Sequence, residues 1–207
     1  MKKDRIALIL NIAAAVIGLA GVGLRLSRSA DDFFLYYTQL SNVLALISSI
    51  LYIMFRDTGN ERLGRFVRAV RYLGACGLAT TFVVVMCIFI PVSGSVKSLL
   101  DTPHGVLQHA VCPVISVASY VFFEKGLRVR RAVAIPIGAT AVYAFAIYTL
   151  NFLRLAPAPY PFFDVYNNSI AGLVLWFLGL LLLIGALSVA VFACNRRFGG
   201  VDKRNGL

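Results

Sequence analysis

The chain has only two histidines and four cysteines in 207 residues, and neither set is placed for metal or disulfide chemistry. His104 and His109 are five apart, which puts them on different faces of a helix, whereas an HExxH-type site needs two ligands on one face. Cys76, Cys87, Cys112 and Cys194 all fall within or at the ends of apolar runs, so they cannot form an extracellular disulfide framework. There is no GxSxG elbow. Gly18, Gly21 and Gly23 have no phosphate-loop context and read as close helix packing. Long polar sequence is also missing. The longest connections lie around residues 56–71 and 151–169, leaving no room for a separate soluble domain. No metal and no cofactor are expected.

What the chain has instead is six long apolar runs, each near or above the ~20 residues needed to cross ~30 Å of hydrocarbon. They predict an all-α membrane protein, a single domain over residues 1–207, with spans at about 6–24, 33–55, 72–92, 103–123, 132–151 and 170–194. Residues 1–24 have the basic start of a signal peptide. Their apolar run exceeds a typical h-region and lacks an A-x-A site, so they read as the first span. Asn167-Asn168-Ser169 matches a glycosylation sequon, and at a site this short and close to the membrane we read it as chance.

The formal net charge of +11 suggests nucleic acid at first sight, but no nucleic-acid module accompanies it. The basic residues are sorted by loop. Only Arg25, Arg28, Lys97 and Arg154 of the twenty fall on one side, and the other sixteen fall on the side of the N-terminus. Lys and Arg resist translocation while Asp and Glu count for little, so both termini are expected in the cytoplasm. The basic clusters lie beside span ends, where anionic lipid headgroups attract them. The bilayer is the expected partner, in a bacterial cell membrane.

Polar residues inside apolar spans are costly and mark function or helix packing. On the second span Thr38, Ser41, Asn42, Ala45, Ser48, Ser49 and Tyr52 recur at three- and four-residue spacing, a stripe expected to face the bundle interior. Serine, threonine and small residues also serve ordinary packing between membrane helices. The fourth span carries His109, an ionisable residue within a membrane segment, on a face with Gly105, Cys112, Pro113, Ser116 and Tyr120. Thr102 is expected to cap this span, with Pro103 at the first helical position. Ser29 and Asp32 resemble a capping box, which would start the second helix at Ala30. Thr38 would then lie ~12 Å and His109 ~9 Å along their helices, in similar layers. A hydroxyl near an imidazole can become a nucleophile, because histidine accepts its proton near neutral pH. His104, in the first turn of its span, reads as an entrance or surface residue.

These residues carry a family resemblance. Phe34-Leu-Tyr-Tyr-Thr38-Gln-Leu-Ser-Asn42, His109-Ala-Val-Cys-Pro113 and Tyr160-Pro-Phe-Phe-Asp164 resemble the androgen-induced gene family and its bacterial six-span relatives. The chain departs from the family after Pro113, with Ser119-Tyr120 where relatives often have an Asp-Trp pair. The resemblance implies intramembrane hydrolysis of lipid esters, such as fatty acid esters of hydroxy fatty acids, with Thr38 as nucleophile and His109 as base.

The corresponding mechanism needs oxyanion donors, for which Asn42, Ser41 and Tyr37 are candidates. It also needs a residue to orient His109, for which Asp101, Asn151 and Asp164 are candidates on the same side. Two other functions fit the same residues: an acyltransferase, with Cys112 as a less favoured nucleophile, and a lipid-binding or transport protein whose polar stripes line a path.

Overall fold

The structure is a computed structural model that describes residues 2–93 and 100–200. Among the described residues it is all-helical, with six helices long and apolar enough to cross a membrane. They are α1 (Lys2–Leu26), α2 (Tyr37–Phe55), α3 (Glu61–Phe89), α4 (Pro103–Phe122), α5 (Ala134–Phe152) and α6 (Ile170–Phe198). The shortest have 19 residues, about 28 Å at 1.5 Å per residue, which matches the hydrocarbon core. Of the charges used to orient the chain, Lys97, Lys203 and Arg204 lie outside the described residues.

Local chemistry sets where the helices begin. Thr102 caps α4 as its sequence predicts, accepting from the Gly105 N–H at 3.1 Å with Pro103 in the first turn. Ser169 caps α6 through the Gly172 N–H, also at 3.1 Å. Asn60 caps α3 by accepting from the N–H groups of Arg62 and Leu63, so this helix starts at Glu61, about three turns before the apolar run at 72.

The second helix differs from expectation in the other direction. Asp32 forms no capping box. Its carboxylate accepts from Arg25 at 2.6 Å and from the Ser29 hydroxyl at 3.3 Å, which ties it back to the end of α1. Phe33–Leu35 forms a 3₁₀ turn, Tyr36 is extended, and α2 begins only at Tyr37. Thr38 is therefore the second residue of its helix, not one eight residues in, and the ~12 Å depth does not hold.

Helices α1 to α4 pack against one another, while α5 and α6 pair and lean on α3, with α6 also touching α4. The α2 stripe faces inward, and Thr38, Ser41, Asn42, Ala45, Ser48 and Ser49 are all buried. Glycine permits the closest approach there. A Cβ on Gly74 would lie 3.4 Å from the Ala45 Cα, and one on Gly77 would lie 3.1 Å from the Ser41 hydroxyl.

At the end of the bundle nearer the N-terminus the interior is charged. Arg71 and Glu124, which hydropathy assigns to loops, are 0 % and 1 % exposed and bridge at 2.6 Å. The guanidinium also donates to Ser48, Ser49 and Ser116, while Glu124 accepts from Asn11 and Ser119. Each charge is both paired and hydrogen-bonded, the condition under which burial is tolerated. The cluster joins α1, α2, α3 and α4.

The opposite end, where α2, α4 and α6 begin, is covered by the connection from α5 to α6. This segment is held by its own hydrogen bonds. Asn151 accepts from the Val165 N–H at 2.9 Å, and Asn168 donates to the carbonyls of Pro161 and Asp164, both at 2.8 Å. Phe162 and Phe163 are driven into the bundle, leaving Tyr160 among Tyr36, Phe89 and Phe162.

Candidate active site

Thr38 sits in the first turn of α2, where backbone N–H groups have no acceptor within the helix. Its own N–H points to the Tyr160 hydroxyl at 3.5 Å, a long contact, and the phenol also meets the Thr38 side chain. Burial pushes the Tyr160 phenol up to about 12, so it remains a proton donor near neutral pH.

His109 lies on a π-helical turn, Leu107–Val111, near the start of α4. A second π turn, Val85–Phe89, closes the membrane-spanning part of α3, and the chain runs on as α-helix over Ile90–Ser93. Such turns are rare and are frequently found at functional sites. Here Val85, Phe89, Gln108 and His109 from the two turns line one cavity of about 740 Å³, together with Thr38 and Tyr160. The two residues singled out in the sequence thus share a cavity at one end of the bundle. His104, Arg25 and Arg28 line its mouth.

Residues next in sequence fix their relative position. Gln39 and Gln108 exchange two side-chain amide hydrogen bonds, each 2.9 Å, and both are buried. One follows Thr38 and the other precedes His109, so this pair joins the two helices beside the candidate reacting groups. Asn42 reinforces the junction, donating to the Thr38 carbonyl at 2.9 Å and to the Gln108 carbonyl at 3.2 Å. A π turn disturbs the regular pairing of backbone carbonyls, and Asn42 supplies the Gln108 carbonyl with a donor.

The other expected site residues lie elsewhere. The Asn42 amide hydrogens are committed to carbonyls, which leaves none directed at the cavity. Ser41 faces Gly77 of α3. Tyr37 meets Thr140 at 3.1 Å and lines a separate, narrower chamber. Among the described residues, Asp101, Asn151 and Asp164 do not line the cavity. Asn151 holds Val165, and half-buried Asp164 accepts from the Asn167 amide and the backbone N–H groups of Tyr166 and Asn167. Those bonds hold the Asp164 carboxyl below its usual range, led by the Asn167 side chain. Cys112 is buried against Ala45, Leu78 and Ile17, away from the cavity.

Sequence reasoning missed Gln39, Gln108 and the role of Tyr160. The glutamines had a signal, since each is an amide within an apolar span adjacent to a singled-out residue. No group of three His, Cys, Asp or Glu that could hold a metal occurs among the described residues. No family model, curated protein or solved structure matches the chain, and the functional reading rests on the cavity that Thr38 and His109 share.

Proposed function

We propose that this protein is a membrane-embedded carboxylic-ester hydrolase acting on lipids, with Thr38 as nucleophile and His109 as general base. The observation that carries the reading is the single cavity lined by both side chains, with the buried Gln39–Gln108 pair alongside them. The resemblance of the motifs around Thr38, His109 and Tyr160 to lipid-ester hydrolases supports it, with fatty acid esters of hydroxy fatty acids or similar acyl esters as substrates.

In the first step the Thr38 oxygen bonds to the ester carbonyl carbon while His109 takes the hydroxyl proton. The carbon–alkoxy bond then breaks, and the alcohol leaves with that proton. Water next attacks the acyl-threonine as His109 accepts its proton. The bond to Thr38 breaks, the acid is released and the proton returns to the Thr38 oxygen. The balance is ester plus water to acid plus alcohol. The oxyanion at each step is served by the Tyr160 hydroxyl, which itself accepts from the Thr38 N–H at the start of α2.

On the charge partition we assign both termini to the cytoplasm, and with them the cavity to the outer leaflet of a bacterial cell membrane. A reaction chamber suits the structure better than a transport path. Beneath the cavity the bundle is filled by the core around Ala45, Leu78 and Cys112 and by the Arg71–Glu124 cluster.

The test is hydrolysis of lipid esters by purified protein. Thr38→Ala and His109→Ala should each abolish turnover with folding intact, Thr38→Ser should retain part of it, and the double alanine variant should add little further loss. Undiminished hydrolysis by folded Thr38→Ala protein would refute the threonine mechanism.

A further inference from the structure

Thr38 stands on a wall between two spaces. Thr38, Val85, Phe89 and Tyr160 border both the wide cavity and a narrower chamber of about 40 Å³. The chamber lies between α2, α3, α5 and α6 and reaches Ala144, Phe163 and Leu180. Its described lining offers apolar groups and hydroxyls but no charge and no histidine.

The two sides of Thr38 are not equivalent for a two-step hydrolysis. The leaving alcohol must take its proton from His109, and the attacking water must give its proton to His109. His109 lines the wide cavity and not the chamber. Alcohol and water therefore both need the wide side. The acyl group stays bonded to Thr38 through both steps and needs no contact with the base. We infer that the narrow chamber holds the acyl half of the ester and that Ala144 and Leu180, which line it from α5 and α6, set the length it accepts. This inference rests on the hydrolase reading above.

The volume gives a length. A cavity of about 150 Å³ takes the six carbons of benzene, about 25 Å³ each, so the chamber takes roughly two chain atoms beyond the carbonyl. Acyl groups near propionyl fit without rearrangement of packed side chains. Longer ones must displace Ala144 on α5 or Leu180 on α6, and inserting extra methylenes into a packed interior is unfavourable. The long chain of the lipid then belongs to the alcohol half, on the wide side whose mouth carries Arg25, Arg28 and His104. This sets aside esters with a fatty acyl half, fatty acid esters of hydroxy fatty acids among them, in favour of short-acyl esters of long-chain hydroxylated lipids.

The test uses the full chain in detergent and 4-nitrophenyl esters with acyl chains from two to twelve carbons. Wild-type kcat/KM should peak near propionate and fall at least tenfold by dodecanoate. Leu180→Ala should move the peak to longer chains, and Ala144→Leu should move it toward acetate. Should Ala144→Leu fail to fold, Leu180→Ala decides alone. A wild-type peak at ten to twelve carbons, or a profile that neither substitution moves, would overturn the assignment of the chamber while leaving the hydrolase intact. Absence of hydrolysis at every length would remove the hydrolase reading and this inference together.

Discussion

Tyr160 brings a phenol to a helix start where the Thr38 N–H has no acceptor within its own helix, and its ring is held between Tyr36, Phe89 and Phe162. Phenylalanine would keep that stacking and lose only the hydroxyl. If the hydroxyl stabilises the oxyanion, Tyr160→Phe should lower kcat about 100-fold, the usual cost of one such donor, with little change in KM or in melting temperature. Because burial pushes this phenol up to about 12, the donor is present throughout the neutral range, and the variant should lose activity equally at pH 6 and pH 9. A loss of folding, or a loss confined to KM, would assign Tyr160 to packing. At this scale Thr38 and His109 were legible because a hydroxyl and an imidazole interrupt apolar runs. The part played by Tyr160 was not, since it depends on a connection folding back over a helix that starts at Tyr37, later than Ser29 and Asp32 suggest.

Between elements, the decisive contact joins the first turn of α2 to the π turn of α4. Nothing in the sequence marks the π turn that ends at Phe89, because the ~100° phase shift of one extra residue leaves no trace in a run such as Val83–Ile90 that is apolar on every face. The consequence of the π turn of α4 is visible in the partners it recruits: Asn42 on the Gln108 carbonyl and Gln39 on the Gln108 side chain. Gln108→Ala removes both amide bonds and leaves the Gln39 amide buried without its partner. The expected cost is about 1–2 kcal/mol, since hydrogen bonds between membrane helices average ~0.6 kcal/mol and an orphaned buried amide adds to that. Turnover should fall at least tenfold, because Thr38 and His109 lose their common anchor. Replacing both Gln39 and Gln108 by Met should recover melting temperature without recovering kcat. Recovery of both together would show that the pair stabilises the bundle without positioning the reacting groups.

For the molecule as a whole, the six spans were legible from composition, while the charged cluster in the bundle was not. A hydropathy reading places every charge at a span end, and so it assigned Arg71 and Glu124 to loops although they lie in the core. Moving Arg71 out of the loop count still leaves fifteen basic residues on the side of the N-terminus against four on the other. The expected orientation is unchanged, because it depends on the difference between the sides and not on any single residue. It is testable in intact cells with a variant in which Cys76, Cys87, Cys112 and Cys194 are replaced. Single cysteines at Asp101 and Leu155, both exposed at the cavity end, should react with a membrane-impermeant thiol reagent added outside. A cysteine at Arg65, exposed at the opposite end, should react only after the membrane is permeabilised. The reverse pattern would turn the protein over and bring the cavity to the cytoplasmic leaflet. The chemistry at Thr38 would be unchanged, but the lipids reaching it would come from the other side of the membrane.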